Sequence, residues 1–103
     1  MIEASTAVIH ASAVSAYEIA LKHTTGKLPI ANELLRDYQT DLTAVGLLEL
    51  AVTAAHALAA GRLDLAHRDP FDRILIAQAQ IEDLTLISNE RRFDQFGVKR
   101  LWD

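Results

Sequence analysis

Apolar residues along the chain switch repeatedly between the spacing of a strand and that of a helix. Val8 to Ala11 form a short apolar run, which predicts a strand. A helix is expected next, ending near Gly26, and its apolar stripe consists of Ala16, Ile19, Ala20 and His23. Ser12 and Ser15 both offer N-cap oxygens, and the spacing of Ser15 from Glu18 is that of a capping box.

The same alternation continues to the end of the chain. The further expected elements are a helix over 31–45, a strand over 47–52, a helix over 54–60, a helix over 70–81, a strand over 84–88, a helical turn over 89–96 and a strand over 98–102. Thr53 and Asp69 are candidate N-caps, and Pro70 suits a first helical turn. Alternating helices and strands indicate a parallel or mixed sheet covered by helices.

Composition narrows the class of protein. The 103 residues are enough for one domain, 50% of them are apolar, and no apolar run is long enough to span a membrane. The chain has no cysteine, which excludes thiol chemistry and disulfides, so we expect a cytoplasmic protein without a membrane partner. A net charge of −4 argues against binding nucleic acid through a broad basic surface, but it is compatible with a cluster of metal-binding carboxylates.

Three acidic residues lie where predicted elements begin or end. Glu18 is expected in the first turn of its helix, Asp72 near the start of a later helix, and Glu90 just after a strand. Carboxylates that gather at the carboxyl ends of strands suit Mg²⁺ or Mn²⁺, which can activate water for attack on a phosphate. Each residue also has a simpler interpretation, because acidic side chains near a helix start complement the helix dipole.

Asp72 is the most distinctive of the three. It continues an apolar stripe through Leu75, Ile76 and Ala79, and a carboxylate on a buried face needs a partner or a metal. Lys22 follows Glu18 by four residues, which predicts either a surface ion pair or a phosphate-binding lysine beside a metal ligand.

The remaining candidate residues give weaker evidence of function. His67 and Asp69 form either a hydrolytic metal site or a capped turn, and the capped turn is favoured. The pairs 91–92 and 99–100 are basic and are expected to be solvated, with a phosphate-facing rim as the alternative. The chain contains neither a G-x-S-x-G elbow nor a glycine-rich phosphate loop.

Three longer stretches carry a more specific signal. Residues 12–22 read S-A-V-S-A-Y-E-I-A-L-K and are followed by G-K-L-P at 26–29. Residues 67–79 read H-R-D-P-F-D-R-I-L-I-A-Q-A. Residues 84–98 read L-T-L-I-S-N-E-R-R-F-D-Q-F-G-V, and Leu101-Trp102 follow them.

Together these stretches resemble PIN domains of the VapC toxin type. The first is similar to the family segment S-x-x-S-x-W-E-I-x-x-K…G-K-L, with Tyr17 in place of tryptophan. The second is close to the H-R-D-P-F-D-R-x-L-I-A-Q-A stretch of one branch of the family. The third resembles the ending L-T-L-V-(S/T)-x-D-x-x-F…Y-G-V, so the likeness covers essentially the whole chain.

The resemblance implies a magnesium-dependent endoribonuclease, with manganese as the alternative metal. It implies the toxin of a type II toxin–antitoxin pair, with an RNA substrate, a cognate VapB-type antitoxin and a homodimeric state. The family's second and third acidic ligands fall on Glu18 and Asp72, and its last falls on Glu90, where aspartate is more common. Asp69 is a secondary candidate. The basic residues expected to face RNA are Lys22, Arg68, Arg73 and Arg91.

The start of the chain departs from the family pattern. The family opens with a strand that ends in a metal-binding aspartate, followed by a helix, whereas residues 1–7 suggest a helix tail and residues 1–11 contain only Glu3 as an acid. We therefore expect one N-terminally incomplete PIN domain over 1–103, with a parallel sheet flanked by helices but lacking the family's first strand and helix. The strands beside the gap would then expose unpaired backbone groups. The alternative function is a catalytically inactive module that binds an antitoxin or another PIN protomer.

Overall fold

The computed structural model describes residues 2–3, 9–27, 36–64, 69–87, 94 and 97–101. The element bounds follow in chain order: β1 (Ile2–Glu3), β2 (Ile9–Ser12), α1 (Ala13–Thr24), α2 (Tyr38–Ala44), β3 (Leu48–Leu50), α3 (Ala54–Gly61), α4 (Pro70–Glu82), β4 (Thr85–Ile87) and β5 (Arg100–Leu101). The predicted alternation of helices and strands is confirmed. The predicted helical turn over 89–96 and residues 31–35 of the predicted second helix lie outside the described residues, apart from Asp94.

The strands form one sheet in the order β3-β2-β1-β4-β5. Strand β2 is parallel to β3, and β4 is parallel to β5. Strand β1 is antiparallel to both of its neighbours, with Ile2 opposite His10 on one side and Leu86 on the other. The fold is therefore α/β, as expected, and the sheet is parallel except for its short central strand β1.

The start of the chain differs from the expectation. The predicted helix tail is wrong at Ile2 and Glu3, which form β1, while residues 4–7 lie outside the described residues. The expectation of unpaired backbone groups on neighbouring strands is also wrong for His10 and Leu86, because each of these residues pairs with Ile2. An extended segment there gives backbone groups of two strands a partner, which a helix tail could not do. That the family's own first strand and helix are lacking stays a prediction.

The starts of the helices follow from local capping groups. The Ser12 side chain accepts a hydrogen bond from the Val14 N–H at 3.2 Å, so Ser12 caps α1 as one of the two predicted candidates. The predicted capping box is wrong, because Ser15 lies inside α1 and Glu18 falls beyond its first turn. The predicted cap of α3 is confirmed, since Thr53 Oγ1 accepts the His56 N–H at 3.2 Å.

The core lies where α4 covers the sheet. A cluster of buried apolar residues forms this core and consists of Ile76, Ala79, Leu84 and Leu86, with Leu50, Leu63, Leu75 and Val98 partly buried around them. Helix α4 thus supplies the apolar stripe that the sequence predicted and fixes the first turn, which carries Asp72, against the rest of the fold. Within the described ranges, no helix is both long and apolar enough to cross a membrane.

Candidate metal and nucleic-acid site

Helices α1 and α4 meet through an aromatic contact. The rings of Tyr17 and Phe71 have centroids 5.4 Å apart and an interplanar angle of 60°, which is a favourable tilted arrangement. Glu18 follows Tyr17 in α1, and Asp72 follows Phe71 in α4. Since consecutive Cα atoms are about 3.8 Å apart, the two helix segments that carry predicted ligands lie side by side.

Glu18 is paired with the lysine one turn later. The Lys22 Nζ lies 3.2 Å from Glu18 Oε2, and the two side chains are 51% and 31% exposed, respectively. The ion pair predicted from their spacing is confirmed. At this exposure, such a pair contributes a few tenths of a kcal/mol at most, so it does not prevent the carboxylate from binding a cation.

Asp72 lies in the first turn of α4 and is partly buried. The predicted shared face is confirmed, because Ile76 and Ala79 on the same stripe are buried and Leu75 is partly buried. Asp72 therefore lies at the boundary between core and solvent. Its position in the first turn also gives it a favourable interaction with the helix dipole.

Asp69 caps α4, as the sequence predicted. Its Oδ1 accepts hydrogen bonds from the Phe71 N–H at 2.9 Å and from the Asp72 N–H at 3.3 Å. Pro70 occupies the first turn, where its missing N–H is not needed. This structural role accounts for an aspartate at position 69 without a metal, and the ligand role of Asp69 stays a prediction.

The predicted ligands are brought together only in part. Glu18 and Asp72 lie on contacting helices, whereas the predicted ligand Glu90 lies outside the described residues. The predicted RNA contacts Arg68 and Arg91, and the weaker candidate His67, also lie outside them. Among the residues that the structure describes, no group of three or more His, Asp or Glu side chains could hold a metal ion. Carboxylates are the donors that Mg²⁺ prefers, so the chemistry of Glu18 and Asp72 fits such an ion, but these two residues alone do not complete a site.

Comparison with protein families matches the PIN domain model to residues 1–99. The chain belongs to the PIN domain family. No curated protein and no solved structure gives a match. PIN domains as a family have nuclease activity, generally use divalent metal ions, typically bind RNA and often pair with antitoxins.

One predicted RNA contact of this PIN domain has a different environment from the one expected. The Arg73 guanidinium donates hydrogen bonds to backbone carbonyls at the end of α3 and in the turn after it; the acceptors are Ala60 O, Gly61 O, Leu63 O and Asp64 O, at 2.8–3.3 Å. These bonds give Arg73 a structural role. Its predicted contact with RNA is not tested by them and is taken up again below.

Sequence reasoning missed a buried polar cluster between α3 and α4. His56 is 1% exposed, and its Nε2 lies 3.0 Å from Glu82 Oε2. Its Nδ1 accepts the Thr53 N–H at 3.0 Å, and Gln78, which is fully buried, donates from Nε2 to Ala51 O at 3.3 Å. The available signal was the position of His56 three residues after the Thr53 cap, where a capping box places a side chain that accepts from the cap N–H.

A second polar feature of the PIN domain lies on α2. Burial and, to a smaller extent, the Glu49 carboxylate raise the pKa of Tyr38 above its ordinary value of 10.0. The Gln39 amide lies 3.3 Å from Glu49 Oε2 and joins α2 to β3. The open groove beside it, about 420 Å³ in volume, is lined by Gln39, Thr40, Thr43 and Ala44. Of the predicted ligands that the structure describes, namely Glu18, Asp69 and Asp72, none lines this groove.

Proposed function

We propose that this PIN domain is a metal-dependent endoribonuclease of the VapC type, the toxin of a type II toxin–antitoxin pair, which hydrolyses phosphodiester bonds of RNA. The observation that carries the proposal is the contact between Tyr17 and Phe71. It sets the segments bearing Glu18 and Asp72 side by side in a chain that belongs to a nuclease family. Family membership supports the nuclease activity, and the substrate class and toxin role are part of the proposal.

Glu18, Asp72 and Glu90 are the proposed metal ligands, and Asp69 is a secondary candidate. Mg²⁺, or Mn²⁺ as the alternative, would supply activation of water and neutralisation of charge on the phosphate when bound. The carboxylates would orient and hold the ion, whose charge would screen them from the negatively charged substrate.

The basic residues proposed to face RNA are Lys22, Arg68 and Arg91. Lys22 is the one of these three that the structure describes, and its side chain is half exposed beside Glu18. A cation bound by Glu18 would weaken the ion pair with Lys22, which leaves the ammonium available to a phosphate. Substrate binding and metal binding are therefore expected to support each other at this position.

The proposed partners are a VapB-type antitoxin and a second copy of the chain, and the proposed location is the cytoplasm. The family supports the first of these, since PIN domains often pair with antitoxins. An antitoxin that covers the carboxylates would inhibit cleavage without any change in the fold. Such inhibition is measurable with the purified pair.

The proposal is tested by cleavage of structured RNA in the presence of Mg²⁺, comparing the wild type with Asp72→Asn. We expect the variant to lose at least roughly 100-fold in rate, since even residues that only orient a metal ligand cost about 10–100-fold. The matched control is Asp41→Asn, which removes an exposed first-turn aspartate from α2. Undiminished cleavage by Asp72→Asn would overturn the site assignment.

The alternative is a catalytically inactive module that binds an antitoxin or another PIN protomer. It is favoured by one observation, namely that the described residues assemble no group of three metal-binding side chains. Absence of Mg²⁺-dependent cleavage by the wild type, together with retained binding of the antitoxin, would support this module over the enzyme.

A further inference from the structure

Arg73 connects two helices through its guanidinium. Its Nε donates to Ala60 O at 3.0 Å, and its Nη2 donates to Gly61 O at 3.3 Å and to Leu63 O at 2.8 Å. Its Nη1 donates to Asp64 O at 3.0 Å. A single side chain on α4 thereby binds four carbonyls at the end of α3 and in the turn after it.

These acceptors need partners. The last carbonyls of a helix have no partner in its regular hydrogen-bond ladder, and those of Ala60 and Gly61 belong to the final turn of α3, where Ala60 O also accepts the Leu63 N–H at 3.3 Å. Two of the four hydrogen bonds are partly buried, where an unpaired carbonyl is costly. Only an arginine offers enough N–H groups in a rigid planar arrangement to serve four such oxygens, whereas lysine has a compact ammonium with three.

The same arginine lies in the turn that carries Asp72. The Arg73 backbone N–H donates to Asp69 O at 3.0 Å, and the Asp69 side chain caps the N–H of Asp72. The start of α4 is thus fixed twice, by its own cap and by the attachment of Arg73 to α3. Asp72 is held between these two attachments.

We infer that Arg73 is a positioning residue, which fixes the first turn of α4 against the end of α3 and thereby sets the place of the Asp72 carboxylate. This inference rests on the proposed function only in taking Asp72 as a metal ligand. Arg73 acts through the backbone it binds, and it does not contact RNA. Arg73 directly follows Asp72 in the sequence, so the side chain that reaches α3 starts from the same helical turn that carries Asp72.

The test compares Arg73→Lys with the wild type, and Arg62→Lys is the matched control because Arg62 is exposed at the end of α3. Hydrogen exchange of the Arg62 and Leu63 amides and of the first turn of α4 is measured first. We expect exchange there to become at least about 10-fold faster in Arg73→Lys and to stay unchanged in Arg62→Lys. Unchanged exchange in Arg73→Lys would overturn the inference.

Two further measurements separate positioning from RNA contact. With Mn²⁺ as the probe, we expect the affinity of Arg73→Lys to fall by roughly 10–100-fold. For RNA in the absence of a divalent metal, we expect the dissociation constant and its salt dependence to be unchanged in Arg73→Gln, whereas loss of a phosphate contact would lower the salt slope by about one. A lower slope with unchanged Mn²⁺ affinity would identify Arg73 as an RNA contact and overturn the inference.

A measurement on the wild type covers the case in which the variants do not fold. The Arg73 Nε–H, followed by NMR, is expected to exchange slowly and to keep its chemical shift when RNA is added. Rapid exchange or a shift on addition of RNA would contradict the attachment. If the wild type binds no Mn²⁺ and cuts no RNA, the proposed function fails, while the exchange data still decide whether Arg73 joins α3 to α4.

Discussion

His56 Nε2 lies 3.0 Å from Glu82 Oε2, and this contact joins the start of α3 to the last turn of α4. The His56 side chain is buried, whereas the Glu82 side chain is 41% exposed. His56 Nδ1 accepts a hydrogen bond from the Thr53 N–H, so the neutral ring carries its proton at Nε2. This Nε2–H donates a hydrogen bond to Glu82 Oε2. The same histidine therefore completes the cap of one helix and anchors the end of another.

Replacement of Glu82 is expected to show how much this contact contributes to the free energy of unfolding. Glu82→Ala leaves a buried N–H of His56 without its acceptor, and we expect a loss of about 1 kcal/mol in the free energy of unfolding, the lower end of the range because water can reach the position. Glu82→Gln keeps an acceptor oxygen and should lose less. Urea denaturation followed by circular dichroism measures both.

The control for Glu82 is the next residue. Asp83→Asn removes the same charge from an exposed position with φ of 54°, which asparagine tolerates. Its ion pair with Lys99 spans 3.9 Å between exposed side chains, so the stability should stay within about 0.5 kcal/mol of the wild type. Equal losses for Glu82→Ala and Asp83→Asn would show that the contact with His56 contributes nothing.

Two isoleucines on α4 provide a test of the core. Ile76 is fully buried, whereas Ile81 is 45% exposed. We expect Ile76→Ala to cost about 2–5 kcal/mol and Ile76→Val about 0.5–1.5 kcal/mol, because the surrounding side chains relax only partly into the cavity. Ile81→Ala removes the same atoms from the same helix and should cost less than about 1 kcal/mol by urea denaturation. A comparable loss at both positions would contradict the placement of the core.

Helix α4 shows what local patterns can predict. Asp69, Pro70 and the apolar stripe through Ile76 act within one segment, so its start, its buried face and the place of Asp72 all follow from the sequence. The capping box predicts the start of α1 three residues late, because two serines compete as caps and only Ser12 lies at the junction between β2 and α1. Glu18 consequently lies deeper in its helix than expected.

Contacts between distant segments could not be predicted in this way. Strand β1 exists because Ile2 meets His10 and Leu86, and no periodicity within two residues indicates such pairing. The family resemblance places Arg73 among the residues expected to face RNA, but no pattern along the chain indicates its carbonyl partners, because these become neighbours only when α3 packs on α4.

Tyr38 provides a prediction for alkaline pH. Burial, assisted by Glu49, raises its pKa above the value of 10.0 that it has when unfolded. The folded state therefore holds the Tyr38 proton more tightly than the unfolded state does. The contribution of this proton to the free energy of unfolding is fully present below pH 10 and is lost as the pH rises through the pKa of the folded state. We expect the free energy of unfolding to decline over that interval, and less steeply in Tyr38→Phe.

The two causes of the raised pKa of Tyr38 can be separated in a Tyr17→Phe background, where Tyr38 is the remaining one of the chain's two tyrosines. Ultraviolet absorbance of tyrosinate follows its titration directly. Glu49→Gln should lower the pKa only partly towards 10.0, since burial is the larger cause. A complete return in Glu49→Gln would show that charge, and not burial, dominates.

Asp69 separates helix capping from metal binding, because its two roles respond differently to two substitutions. Asparagine keeps an Oδ1 acceptor for the N–H groups of Phe71 and Asp72, whereas alanine removes it. We therefore expect Asp69→Ala to lose about 0.5–2 kcal/mol in the free energy of unfolding and Asp69→Asn much less.

The Mn²⁺ affinity of Asp69→Asn then decides the second role, since this variant keeps the cap but lacks the charge. A fall of at least about 10-fold with unchanged stability would add Asp69 to the ligands, and an unchanged affinity would leave it as a cap alone. Equal stability of the alanine and asparagine variants would instead contradict the cap. Because Asp69 holds the N–H of Asp72, the alanine variant should also weaken Mn²⁺ binding through the position of Asp72, even where asparagine does not.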